Sequence, residues 1–81
     1  MDDATLKALN DYKAQLKEKM SALKSTQGDI KDLLKANKEN RKNLDYDALN
    51  KTFEQIANIQ LSRNALLAEI NTILKAMVDL I

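Results

Sequence analysis

No proline interrupts this chain of 81 residues, and its single glycine is Gly28. Without such breakers the backbone has few places to turn, which favours long helices and disfavours sheets built on frequent tight turns. The stretch from Asn37 to Asp45 is polar and carries Asn37, Asn40 and Asn43. It is the one credible turn. The spacing therefore predicts one all-α domain, a long antiparallel two-helix hairpin of coiled-coil type. Helix one covers about residues 3–38, the turn 39–45 and helix two 46–80. Each helix would be roughly 50 Å long at 1.5 Å per residue. Asp2 or Asp3 is placed to cap the first helix, and Asp45 or Asn43 the second. Asn40 or Asn43 suits the left-handed conformation that ends a helix. Gly28 weakens helix one by about 1 kcal/mol relative to alanine. With Ser25, Thr26 and Gln27 beside it, a break there is an open alternative.

Helix two is apolar on more than one face. Leu49, Phe53, Ile56, Leu67 and Ile70 begin one seam, which Leu74, Met77 and Ile81 continue and Gln60 and Arg63 interrupt. A second stripe, Ile59, Leu66, Ile73 and Leu80, repeats every seven residues. Helix one offers one narrow stripe, through Leu6, Leu9, Tyr12 or Lys13, Leu16 and Met20, then Leu23, Gln27, Ile30 and Leu34. One seam serves one partner helix, so a second seam needs a second partner. The chain is expected to complete its core by oligomerisation or on another protein. Eighty-one residues bury a limited core in any case.

Composition excludes several function classes. The chain has no Cys and no His, which removes disulfides, thiolate ligands and the usual general base and nucleophile pairs. An enzyme reading fails on that inventory. Asp29 with Asp32, and Asp45 with Asp47, are carboxylate pairs of the kind that cap helices or face solvent. No metal, cofactor or small-molecule substrate is expected. The net charge is +1, with the basic excess in the first half and the acidic excess in the second. That contrast suits antiparallel pairing and is too weak for a nucleic-acid footprint. The run Asn40–Asn43 is basic, short and in the turn. No segment reaches the roughly 18 apolar residues of a membrane span. The first residues, Met-Asp-Asp, do not read as a basic leader.

Two residues on the seam draw notice. Arg63 is expensive there unless paired, by an acid of helix one or by another subunit, and Gln60 sits one step earlier. Such polar seam residues can set register. Met20 and Met77 read as ordinary gap-fillers.

The stretch Asn43–Leu49, followed by Ile56 and then Leu61–Ala65, resembles the second half of type III secretion needle subunits. Several members carry a leucine, any residue, then Arg-Asn-Ala in that helix, matched here by Leu61, Arg63, Asn64 and Ala65. Another branch ends in a segment like Ile70–Ile81. The likeness covers residues 43–81, and helix one agrees in pattern only. The family's turn carries two prolines where this chain has Asn43 and Tyr46. The resemblance implies a subunit that polymerises through its C-terminal helix into a tube, and that reaches the cell surface without a cleaved leader. It implies self-assembly contacts at Ile59, Leu66, Ile70, Ile73 and Met77, and at Leu80 and Ile81. Arg63 and Asn64 would be polar contacts.

Two function classes follow. One is a structural subunit that self-assembles, a needle-like filament subunit if the resemblance holds. The other is a small cytoplasmic chaperone or adaptor that covers an amphipathic helix of a partner protein.

Overall fold

The computed structural model describes residues 2–81, which form two helices, α1 (Asp3–Lys42) and α2 (Tyr46–Leu80). They pair antiparallel along a rod 63 × 15 × 11 Å in extent. No strand occurs among the described residues.

The helix ends are set locally. The Asp2 carboxylate accepts a hydrogen bond from the Thr5 amide at 2.6 Å, satisfying a free donor of the first turn. Thr5, through its side chain first and its amide second, holds the Asp2 carboxyl below its ordinary pKa. Asp45 does the equivalent for α2, accepting from the Ala48 amide at 3.1 Å. Between the helices only three residues remain, so α1 runs four residues beyond the end expected from sequence. The left-handed residue is neither Asn40 nor Asn43 but Leu44, at φ 54°. Its amide donates to the Arg41 carbonyl at 3.1 Å, and the Asp45 amide donates to the Asn40 carbonyl at 2.9 Å. That pair of bonds is the Schellman arrangement. Asn40 stays helical because its side chain is used elsewhere: Nδ2 donates to Oδ1 of Asn37 at 3.0 Å.

α1 is continuous through Gly28. The glycine faces solvent, and a Cβ built there would meet nothing within 4 Å. The break at Ser25–Gly28 does not occur, because the helix is held against α2 on its opposite side at Thr26.

The pattern of covered residues identifies the seam between the helices. On α1 they begin at Thr5, Leu9, Tyr12, Leu16 and Lys19, and continue through Leu23, Thr26, Ile30, Leu33, Asn37 and Asn40. The alternation of four and three never misses a step. On α2 it runs Leu49, Thr52, Ile56, Ile59 and Arg63, then Leu66, Ile70, Ile73, Met77 and Leu80. These are the two inward positions of a heptad, conventionally a and d. Two expectations are corrected here. The row Ile59–Leu66–Ile73–Leu80 does not await an outside partner, because α1 covers it. Leu6, Met20, Gln27 and Leu34, assigned to the helix-one seam, are exposed. So are Phe53, Leu67, Leu74 and Ile81 of helix two.

The core is thin. Among the described residues Ile70 and Ile73 are the only buried apolar side chains, each 8% exposed. Two polar side chains are as well covered, and both are bonded. Thr52 Oγ1 donates to the Ala48 carbonyl at 2.9 Å, and Asn37 Nδ2 donates to the Leu49 carbonyl at 3.4 Å. The expected charge pairing between halves is slight: Lys19 and Glu69 meet at 2.7 Å.

Candidate interaction surface

The next heptad position beside the seam, position e, lies on one side of the rod in both helices. On α1 it holds Leu6, Lys13, Met20, Gln27, Leu34 and Arg41, all exposed. On α2 it holds Tyr46, Phe53, Gln60, Leu67, Leu74 and Ile81, also all exposed. The two rows share a face, because Leu34, Arg41 and Phe53 line one cleft with Lys38 at its edge. In antiparallel order the residues face each other down the rod: Leu34 is level with Phe53, Met20 with Leu67, Leu6 with Ile81. Gln27 and Gln60 form a polar step in the middle. Met20 is 54% exposed and Phe53 52%. This face, apolar at Leu6, Met20 and Leu34 and along most of the α2 row but crossed by Lys13, Gln27, Gln60 and Arg41, is the least expected part of the surface.

The flank of that face on α1 is basic. Lys17, Lys24, Lys31 and Lys38 repeat every seven residues beside the e row, and all are exposed. Lys31 and Lys38 line a second cleft with Gln27 and Leu34, which fixes them beside the apolar row.

The opposite side of the rod is different in kind. Position g of α1 carries Ala8, Gln15, Ala22, Asp29 and Ala36. On α2 it carries Ala48, Gln55, Ser62, Glu69 and Ala76. Gln15, Lys19 and Glu69 line a cleft there. The Glu69 carboxylate accepts from Lys19, which raises the pKa of that ammonium. The flank on α1 is Asp11, Glu18, Ser25, Asp32 and Glu39, again spaced seven apart and exposed. The near-zero net charge thus hides a segregated helix, lysine on one side and carboxylate on the other.

The residues expected to make assembly contacts divide into two groups. Ile59, Leu66, Ile70, Ile73, Met77 and Leu80 face α1 within the hairpin. Arg63 joins them: its guanidinium donates to the Leu23 carbonyl at 3.3 Å and to Thr26 Oγ1 at 3.1 Å. It is satisfied by a carbonyl and a hydroxyl rather than by an acid. Asn64 and Ile81 are exposed, and Ile81 belongs to the apolar e row. Reading from sequence missed that Leu6, Met20, Leu34, Phe53, Leu67 and Leu74 form one exposed face. The alternation of three and four does not find it, because Leu6, Leu9, Lys13, Leu16 and Met20 continue in the same steps as Thr5, Leu9, Tyr12, Leu16 and Lys19.

Among the described residues no cluster of three or more carboxylates gathers that could hold a metal ion. None of the helices is long and apolar enough to cross a membrane. Geometry defines the class: an antiparallel helical hairpin whose distinguishing feature is a surface. Comparison with protein-family models, curated proteins and solved structures finds no match.

Proposed function

We propose that this chain is a structural subunit that assembles with copies of itself through the exposed apolar face of the hairpin. The observation that carries the reading is surface area. A compact protein of 9.2 kDa has about 4,900 Å² of accessible surface by the usual scaling. This chain has 6365 Å². The excess is about 1,400 Å², and a stable interface takes about 800 Å² from each partner. Apolar side chains at Leu6, Met20, Leu34, Phe53, Leu67 and Leu74 are 42–54% exposed and lie on one side of the rod, and monomeric proteins rarely expose large apolar patches.

The resemblance of residues 43–81 to type III secretion needle subunits supports a filament over a closed particle. On that reading the chain works outside the cell as a needle-like element, and Asn64 and Ile81 of α2 are among its contacts. Assembly would use both helices, since α1 contributes Leu6, Met20 and Leu34 to the exposed face.

Light scattering on a concentration series, with electron microscopy of the same samples, tests the proposal. Growth in mass with concentration, ending in rods or filaments, is the expected result. A mass that stays at 9.2 kDa throughout overturns it, and the groove between Leu34 and Phe53 would then be the seat of a partner's helix.

A further inference from the structure

Resting on that reading of self-assembly, we infer that the copies stack side by side in the same direction and in register. The apolar, lysine-flanked side of one hairpin lies on the alanine-rich, carboxylate-flanked side of the next. The two sides of the rod match row by row.

Take α1 of one copy lying parallel on α1 of another, with no shift along the axis. Positions e and b of the first then face positions g and c of the second. The b row, Lys17, Lys24, Lys31 and Lys38, lies one residue from Glu18, Ser25, Asp32 and Glu39 of the neighbour. One residue is about 1.5 Å along a helix, well within the reach of a lysine side chain. Asn10 meets Asp11 in the same way.

The inner rows match by size and polarity. Leu6, Met20 and Leu34 face Ala8, Ala22 and Ala36, two residues along. Between them Lys13, Gln27 and Arg41 face Gln15, Asp29 and Asn43. Large apolar residues meet alanine at every second step, and polar residues meet polar ones at the steps between. On α2, Tyr46 and Leu74 face Ala48 and Ala76, and Gln60 faces Ser62. Phe53 and Leu67 are the exceptions, facing Gln55 and Glu69, and Glu69 is already tied to Lys19.

A face-to-face dimer has none of this. Placing α1 on α1 sets the lysine row against itself. Placing α1 on α2 sets it against Asn50, Ala57, Asn64, Asn71 and Val78, which carry no acid. The two sides of the rod complement each other and not themselves. Such a contact is heterologous: copies add without limit unless the rotation between neighbours closes a ring. An interior copy covers both of its sides, and the surface excess of about 1,400 Å² over a compact protein is what two faces of ordinary size would remove.

The chain has no cysteine, which permits a clean cross-linking test. Single variants Met20→Cys and Ala22→Cys are prepared, mixed and mildly oxidised under conditions where the unmodified protein assembles. Both positions are exposed, and circular dichroism checks that the hairpin persists. In-register stacking brings position 20 of one copy within disulfide range of position 22 of the next. The mixture should cross-link at least several-fold faster than either variant alone. Equal or faster cross-linking of Met20→Cys by itself means face-to-face packing and overturns the inference. So does the absence of a 20–22 link in a chain that still assembles. An unmodified protein that stays monomeric instead removes the self-assembly reading beneath it.

A second chain exchanges the rows, with Lys17, Lys24, Lys31 and Lys38 to Glu and Asp11, Glu18, Asp32 and Glu39 to Lys. Its net charge is unchanged, so it should assemble alone yet exclude the unmodified chain. Free co-assembly of the two would refute the charge match.

Discussion

Gly28→Ala is the sharpest test of whether α1 is one stiff helix. The residue has helical backbone geometry, lies on the outward face, and leaves at least 4 Å of open space where a methyl group would go. Nothing in the hairpin has to move. The substitution then acts through backbone entropy alone, which favours alanine by about 1 kcal/mol in a helix interior. Unfolding entropy near the midpoint is about 2.1 cal/mol/K per residue, or roughly 170 cal/mol/K for a chain of this length. Dividing one by the other gives a rise in Tm of about 6 °C. Far-UV circular dichroism on dilute protein, where association does not contribute, measures it, and urea denaturation supplies an independent free energy. An unchanged or lowered Tm would refute the reasoning. It would mean that the backbone bends at Gly28, or that something approaches it more closely than a side chain allows.

Leu16→Asp or Leu23→Asp places a charge on the only apolar stripe that α1 turns towards α2, and should unfold the hairpin, read as lost helicity. Leu67→Asp with Leu74→Asp should leave helicity nearly intact and abolish growth in light scattering; lost helicity would place both in the monomer core. Leu44→Gly relieves a left-handed leucine that is largely exposed, and should add about 0.5–1 kcal/mol in urea denaturation. A destabilised variant would show that the leucine side chain holds the turn. The Asp2 carboxyl has a folded pKa below its unfolded one, so the cap contributes above the ordinary carboxylate range and is lost as pH falls through the lowered value. The Thr5 amide signal in NMR should titrate with a midpoint below about 3.9. That step should vanish in Asp2→Asn, and a midpoint at or above the ordinary value would contradict the cap.

The hairpin and the place of its turn were legible because breakers are so few and Asn37–Asp45 is so polar. The face each helix turns inward was only half legible. Leu9, Leu16, Leu23 and Ile30 were identified correctly. The residues between them are Tyr12, Lys19, Thr26 and Leu33, of which only Leu33 is a simple hydrophobe. Leu6, Met20 and Leu34 one step away look more like a core. Apolar content alone therefore picked the wrong second row. What reverses it is hydrogen bonding across the seam: Thr26 receives Arg63, and Asn37 reaches Leu49. A polar side chain reads as solvent-facing until its partner is known, and here the partners lie 12 and 37 residues away. The same blindness made Ile59, Leu66, Ile73 and Leu80 look like a surplus stripe. The exposed face could be found only by subtraction, once the seam was known.

The three-residue turn has a mechanical consequence. It joins the helices at one end of the rod, while Asp2 and Thr5 lie beside Leu80 and Ile81 at the other. A force pulling those two ends apart loads the seam one layer at a time, beginning at Thr5 and Leu80. The hairpin therefore peels like a zip, at low force, and the double grip of Arg63 on Leu23 and Thr26 makes a stop partway along. When the force is released, closing starts at the Leu44 turn, where partners are nearest along the chain, and runs outward. Pulled instead along its length from opposite ends of the rod, the hairpin carries the load through helical backbone, and the seam is not peeled. A single hairpin is therefore weak in the first direction and stronger in the second.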